Sequence, residues 1–216
     1  MIGLQQRYGM LLLALAVLFA FEGVAQPGDL QRLLGTLLAG GTLMIALYAA
    51  DVPRRRLRIA GTIVALLITG VVAASLADNS TTVQGLTALA NALLVAAAPP
   101  AVVVGLARQL RRTGAITVTM VAGVLCLYLM LGLFFAFAFI SVQNLGGGAF
   151  FSSGDRVTAP TSVYFSFVTM TTVGYGDFTA RTNLGHTMSV TEALIGQIYL
   201  VTVVAAMVSR LVPRRS

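Results

Sequence analysis

The chain of 216 residues has no tryptophan and no lysine, one histidine, one cysteine and only seven acidic residues. Each shortage excludes something. Cys126 has no partner for an intrachain disulfide, and inside an apolar run it reads as a small core residue. With His186 alone there is no His/Cys metal cluster and no Ser-His-Asp arrangement, and no Walker-type phosphate loop is present, so no enzymatic constellation appears. Charged residues make up 10% of the chain and hydrophobic ones 57%, with a mean hydropathy of +0.90. That is too apolar for a water-soluble domain and fits a polytopic membrane protein. All 14 basic residues are arginine, and the net charge is +7. Nucleic acid is a possible partner for such a charge, but its placement along the chain argues against it.

Six apolar segments are long enough for a hydrocarbon core of roughly 30 Å. They run from Tyr8 to Ala25, Leu30 to Ala50, Leu57 to Ala77, Val83 to Leu106, Ile116 to Val142 and His186 to Leu211. Breakers separate them: Pro27-Gly28-Asp29, Asp51-Val52-Pro53 and Asp78-Asn79-Ser80. Pro99-Pro100 is expected to kink the fourth span. Ala20-Phe21-Glu22 is a poor cleavage site, so the first span reads as a retained helix rather than a signal peptide. The links are short, so neighbouring spans should pack antiparallel.

Arginine placement predicts the orientation. Arg7, Arg54, Arg55, Arg56, Arg58, Arg108, Arg111, Arg112, Arg210, Arg214 and Arg215 fall on one side, whereas Arg32, Arg156 and Arg181 fall on the other. The arginine-rich side should be cytoplasmic, with both termini inside. Glu22, Asp29, Asp78, Asp155 and Asp177 then lie outside, as does the loop between the last two spans.

That loop holds the most informative stretch, Thr171-Thr172-Val173-Gly174-Tyr175-Gly176-Asp177. Ahead of it, Pro160 suits a first helical position, and the apolar run to Met170 is too short to cross a bilayer. A half-helix that dips in and returns must be buried by protein or line a water-filled cavity. Glycines at alternate positions let consecutive carbonyls face one axis, because glycine reaches φ > 0 without a Cβ clash. Four such loops can stack rings of carbonyls that replace an ion's hydration shell, with the Thr172 hydroxyl as the lowest ring.

Thr161 to Asp177 resembles the pore helix and signature filter of potassium channels, residue by residue from Thr172 to Gly176. The resemblance implies an all-α integral membrane protein with about six spans, and a re-entrant pore helix and selectivity-filter loop between the last two. It implies a four-helix peripheral bundle over 1–113 and a pore domain over 114–216. It implies passive, potassium-selective conduction by a homotetramer in a membrane, without an organic cofactor or nucleic-acid partner. Potassium is the permeant ligand, held at Thr172, Val173, Gly174 and Tyr175, with Gly176 completing the filter. Asn144 through Ala159 resembles a mobile turret. Gly196, twenty positions after Gly176, matches a hinge glycine, although a helix-packing contact is the alternative. Leu200, Val204 and Val208 share one helical face. By the family pattern they face the cavity and gate, where dewetting is one mechanism; helix contact is the other reading.

Three further residues support the filter on this reading. Glu192, the acid well inside a span, is costly there unless functional or paired. We expect it behind the filter, bonded to pore-helix groups such as Thr169 or Thr171 or kept neutral by burial. Asp177 is expected to brace the outer end through the Tyr164 hydroxyl. His186 reads as an interfacial residue rather than a proton sensor.

The first four spans lack a voltage sensor's chemistry. A gating charge contributes roughly 2.3 kcal/mol per 100 mV, so a sensor needs an arginine ladder inside its fourth helix. Val83 to Leu106 has none, and strong voltage gating is not expected. Asn91, polar within that span, should be satisfied by a neighbouring helix. Only a few residues follow the sixth span, so no regulatory cytoplasmic domain is expected there, and the compact build suggests a prokaryotic plasma membrane. The rival readings are a non-selective cation channel, a potassium uptake transporter subunit and a non-conducting scaffold.

Overall fold

The computed structural model describes residues 4–77, 80–114 and 116–211. Among them the regular elements are all helices: α1 (Leu4–Val24), α2 (Asp29–Ala49), α3 (Arg54–Ala77), α4 (Thr81–Ala96), α5 (Ala98–Thr113), α6 (Val118–Gly146), α7 (Ala159–Met170) and α8 (Asn183–Leu211). The expected all-α membrane architecture is present. Five stretches of the described residues are long and apolar enough to cross a membrane: Gln6–Val24, Asp29–Ala49, Arg54–Ala74, Thr81–Thr113 and Val118–Gly146. The sixth expected span corresponds to α8, 29 residues long. The side chains of Val204 and Val208 on α8 lie outside the described residues.

The expected kink in the fourth span takes the form of a break. α4 ends at Ala96, α5 begins at Ala98, and Pro99 and Pro100 occupy the first turn of α5. Neither proline has an N–H to donate to the carbonyl four residues earlier, so the helical ladder is interrupted there.

α6 packs against α1, α4, α5, α7 and α8, and α1 is set deep beside it. Tyr8, Leu11, Leu15 and Leu18 form a stripe at helical spacing that is wholly buried. The core around that stripe also takes in Ala46, Val102, Cys126, Met130, Leu133 and Val163, so one continuous apolar cluster runs through both halves of the chain. Phe19 of α1 meets Phe167 of α7 edge to face at 4.8 Å. The first helix therefore touches α7 directly.

The two ends of the bundle differ in chemistry. At one end, Arg7 pairs with Asp51 at 3.4 Å and lies over the Tyr48 ring, and Gly105 lets α5 approach Ala50 and Tyr8. This gathers the arginine-bearing start of α1, the α2–α3 link and α5. At the other end, Gln31 donates to Glu22, and Ser141 Oγ of α6 donates to the carbonyl of Gly85 in α4 at 2.9 Å. Glu22, among the acids read as lying on the outer side, is buried, only 1% exposed. α3 is the outermost helix. Its Ile59, Ile63 and Leu66 are exposed, while Val64 packs over Gly40 of α2.

Candidate functional site: the loop after α7

α7 is defined by its caps. Thr158 Oγ1 accepts from the Thr161 N–H, and Thr161 Oγ1 accepts from the Thr158 N–H at 2.8 Å, a reciprocal capping box that satisfies two otherwise orphan donors. Pro160 sits in the first turn, where its missing N–H is not needed. The helix ends as Thr171 N–H bonds Phe167 O at 3.0 Å. The next three amides fold back on the last turn. Thr172 N–H reaches Thr169 O at 2.9 Å, and Val173 and Gly174 N–H share Val168 O at 3.0 and 3.3 Å.

The loop then takes an alternating backbone. Thr172 has φ +59°, Gly174 +53° and Gly176 +80°, and the residues between them lie outside the left-handed region. Such alternation turns successive peptide planes so that their carbonyls face one side. Glycine adopts this conformation freely, whereas at Thr172 a Cβ makes it cost about 1–2 kcal/mol. The strained threonine was not anticipated from the glycine pattern. Residues Thr171 to Asp177 are all exposed, Val173 by 52% and Tyr175 by 71%.

The outer end of the loop is braced from its own chain. Tyr164 Oη donates to Asp177 Oδ2 at 2.8 Å, and Asp177 Oδ1 accepts from the Phe178 N–H at 3.0 Å. The Tyr164 ring stacks on Tyr175 with centroids 6.4 Å apart and planes 9° from parallel. Beyond Asp177 the chain pairs with the segment before α7. Ser152 N–H bonds Thr179 O, Arg181 N–H bonds Phe150 O, and Phe151 and Ala180 form an isolated bridge. His186 Nε2 lies 2.7 Å from Ala180 O, so the lone histidine holds this turn. Phe135, Phe139, Phe150, Phe151 and Phe165 form a second buried cluster beneath it. The expected free turret is thus anchored at Phe150 and Phe151, which are 2% and 0% exposed.

Behind the loop stands Glu192, fully buried. Its partner is Ser166 of α7, not Thr169 or Thr171 as the sequence suggested. The Thr171 hydroxyl is already committed, donating to Phe167 O at 2.6 Å. Ser166 Oγ contacts Glu192 Oε1 and also Gly132 O of α6 at 2.7 Å. A hydroxyl has one hydrogen, so both contacts are satisfied together only when Glu192 brings a proton. Glu192 Oε2 has no partner. Ser166 thereby ties α6, α7 and α8 at one point.

The end of α7 is wedged between two glycines. A Cβ on Gly132 would lie 2.5 Å from Phe167 Cζ, and one on Gly196 would lie 2.5 Å from Met170 Cγ and 2.9 Å from Met170 O. Met170 is fully buried. Gly196 therefore makes a close packing contact, and α8 passes through it as one helix. Lower on α8, Tyr199 Oη donates to Val124 O of α6 at 2.6 Å and its ring stacks on Tyr128. Leu200, from the expected gating stripe, is 37% exposed.

A short helix, an alternating loop and two flanking helices occupy residues 118–211, and residues 124–212 match the family model described as an ion channel. This stretch is similar to that family. Probable potassium channel protein 2 of Methanocaldococcus jannaschii is 53% identical over 36 residues, which are 17% of this chain and 10% of that protein. Calcium-activated potassium channel slowpoke of Drosophila melanogaster is 44% identical over 55 residues, 26% of this chain and 5% of that protein. The matches thus span a tenth or less of these curated relatives. No solved structure matches. The matched stretch begins within α6, so α1 to α5 precede it. Among the described residues no group of three or more His, Cys, Asp or Glu is placed to hold a metal.

Proposed function

We propose that the chain is one subunit of a homotetrameric, potassium-selective channel that conducts passively across a membrane. The observation that carries this reading is the alternation of positive φ at Thr172, Gly174 and Gly176 in an exposed loop. A loop of this geometry offers a file of carbonyl oxygens to a dehydrated cation. One chain supplies only one side of the cage, so four copies meet around an axis. Thr172, Val173, Gly174 and Tyr175 hold the ions, Gly176 completes the filter, and Asp177, Tyr164 and Glu192 support it. Potassium is the permeant ligand, and the function needs no organic cofactor.

The exposure of Val173 and Tyr175 supports assembly, because the neighbouring subunit is what covers them. On this reading Leu200 faces the inner path, and Gly196 acts from behind it, against Met170 at the end of α7. The arginine bias supports a multi-pass protein of the plasma membrane with both termini cytoplasmic. The α4–α5 pair carries arginine only near its end, at Arg108, Arg111 and Arg112, which supports weak voltage dependence. The test is planar-bilayer recording of the purified protein in a mixed sodium and potassium gradient. A reversal potential near the potassium equilibrium value is expected. One that follows both cations equally points to a non-selective pore, and electrically silent protein in intact bilayers overturns the proposal.

A further inference from the structure

The arginine-bearing end of the bundle carries charge that the chain itself does not neutralise. Arg54, Arg55, Arg56 and Arg58 open α3, and Arg108, Arg111 and Arg112 lie near the end of α5. Both groups leave the bundle at one place, where Gly105 of α5 packs against Ala50. All seven side chains are exposed, and none has an ion-pair partner among the described residues. The acid beside them, Asp51, is taken by Arg7 at 3.4 Å. A bias of arginine to one side of the membrane is met wherever on that side the residues stand. Those of α3 stand at the wrong end of a helix. Its first turn holds no acid, the positive end of its dipole faces the guanidinium groups, and Arg54 and Arg58 are like charges one turn apart. An external anion relieves both repulsions.

The same helix indicates which anion fits. Arg55, Ile59, Ile63 and Leu66 recur at helical spacing along one face. The three apolar members are exposed, while Val64 on the other face packs over Gly40. The rise from Arg55 to Leu66 is about 16 Å, half of a hydrocarbon core of roughly 30 Å. Positive charge at the head of an apolar stripe one leaflet deep matches the two parts of a phospholipid. A soluble acidic partner or a free phosphate would meet the arginines and leave the stripe unused. We infer that the start of α3 binds an anionic phospholipid, its phosphate between Arg55 and Arg58 and its acyl chains along Ile59, Ile63 and Leu66. Arg108, Arg111 and Arg112 extend the basic rim toward further headgroups of the same leaflet. The inference needs the membrane-spanning helices and not conduction.

The chain has no tryptophan, so a single introduced one reports the lipid beside it. The experiment places Ile63→Trp in the full-length protein, in bilayers mixing phosphatidylglycerol with phosphatidylcholine, one of them carrying brominated acyl chains that quench fluorescence. Quenching is read without current, so this inference and the channel reading fail separately. Phosphatidylglycerol should be favoured at position 63 by about fivefold, the scale of one arginine at an anionic surface. Leu86→Trp, exposed on α4 near the opposite end of the bundle, should show a ratio near one. Adding Arg55→Gln and Arg58→Gln, both at exposed positions, should bring the ratio at position 63 toward one. Equal quenching by the two lipids at position 63 overturns the inference. So does the same preference at position 86, or a preference that the two substitutions leave unchanged. Loss of the preference in excess inorganic phosphate at constant ionic strength also overturns it, because the arginines would then recognise the free anion.

Discussion

Two surfaces of this molecule expose apolar side chains for opposite reasons. On α3, Ile59, Ile63 and Leu66 stand on an unbroken helix whose backbone groups are satisfied within the helix itself. Lipid covers such a face at no cost, because nothing beneath it needs a hydrogen bond. In the loop after α7, Val173 and Tyr175 are as exposed, but the backbone that carries them is neither helix nor strand. Hydrocarbon against that loop would strand its amides and carbonyls. It is stable at membrane depth only against protein or water-filled space, which is why the same degree of exposure supports lipid contact in one place and subunit contact in the other.

The largest expected effect separates these surfaces outright. Gly174→Ala adds a Cβ to a residue at φ +53°, where side chains are strained, and liposome potassium flux should fall to background. Ile63→Ala on α3 should leave flux unchanged. Equal flux in both variants would erase the distinction.

Gly196→Ala comes next. Its Cβ would meet the backbone and side chain of Met170, an overpacking that costs about 1–3 kcal/mol. A lowered thermal midpoint of the detergent-solubilised protein should show it. A similar or smaller loss is expected for Ser166→Ala, which leaves Gly132 O and Glu192 without their shared hydroxyl, about 1–3 kcal/mol. Glu192→Gln should be milder, since its amide N–H can still donate to Ser166. If Gln at 192 were as disruptive as Ala at 166, the proton assigned to Glu192 would be misplaced.

Tyr164→Phe removes one hydrogen bond to Asp177 and keeps the ring stack on Tyr175. About 1 kcal/mol is expected, read as faster loss of conduction during sustained recording rather than as unfolding. The smallest change should come from Asp51→Asn, which breaks the pair with Arg7, at most about 1 kcal/mol, and leaves Arg7 over the Tyr48 ring. A midpoint shift that disappears in high salt would identify it.

The sequence by itself determined the local features: helices from long apolar runs, an interruption at Pro99-Pro100 read as a kink, a helix start at Pro160, and a loop whose glycines favour positive φ. Each depends on residues within a few positions of one another, where spacing and backbone preference suffice. It also placed Asp177 within reach of Tyr164, because a half-helix that returns on itself brings those positions together. Tertiary structure alone decided the rest. Ser166 rather than Thr169 meets Glu192, 26 positions away, and the same hydroxyl meets Gly132, 34 positions away. Nothing in a linear pattern ranks one pore-helix hydroxyl above another, because that choice follows from the rotation of three packed helices about their axes. The burial of Glu22 and the aromatic floor at Phe150 and Phe151 have the same origin. Each is imposed by neighbours distant in the chain, whose approach is set by how side chains fill space.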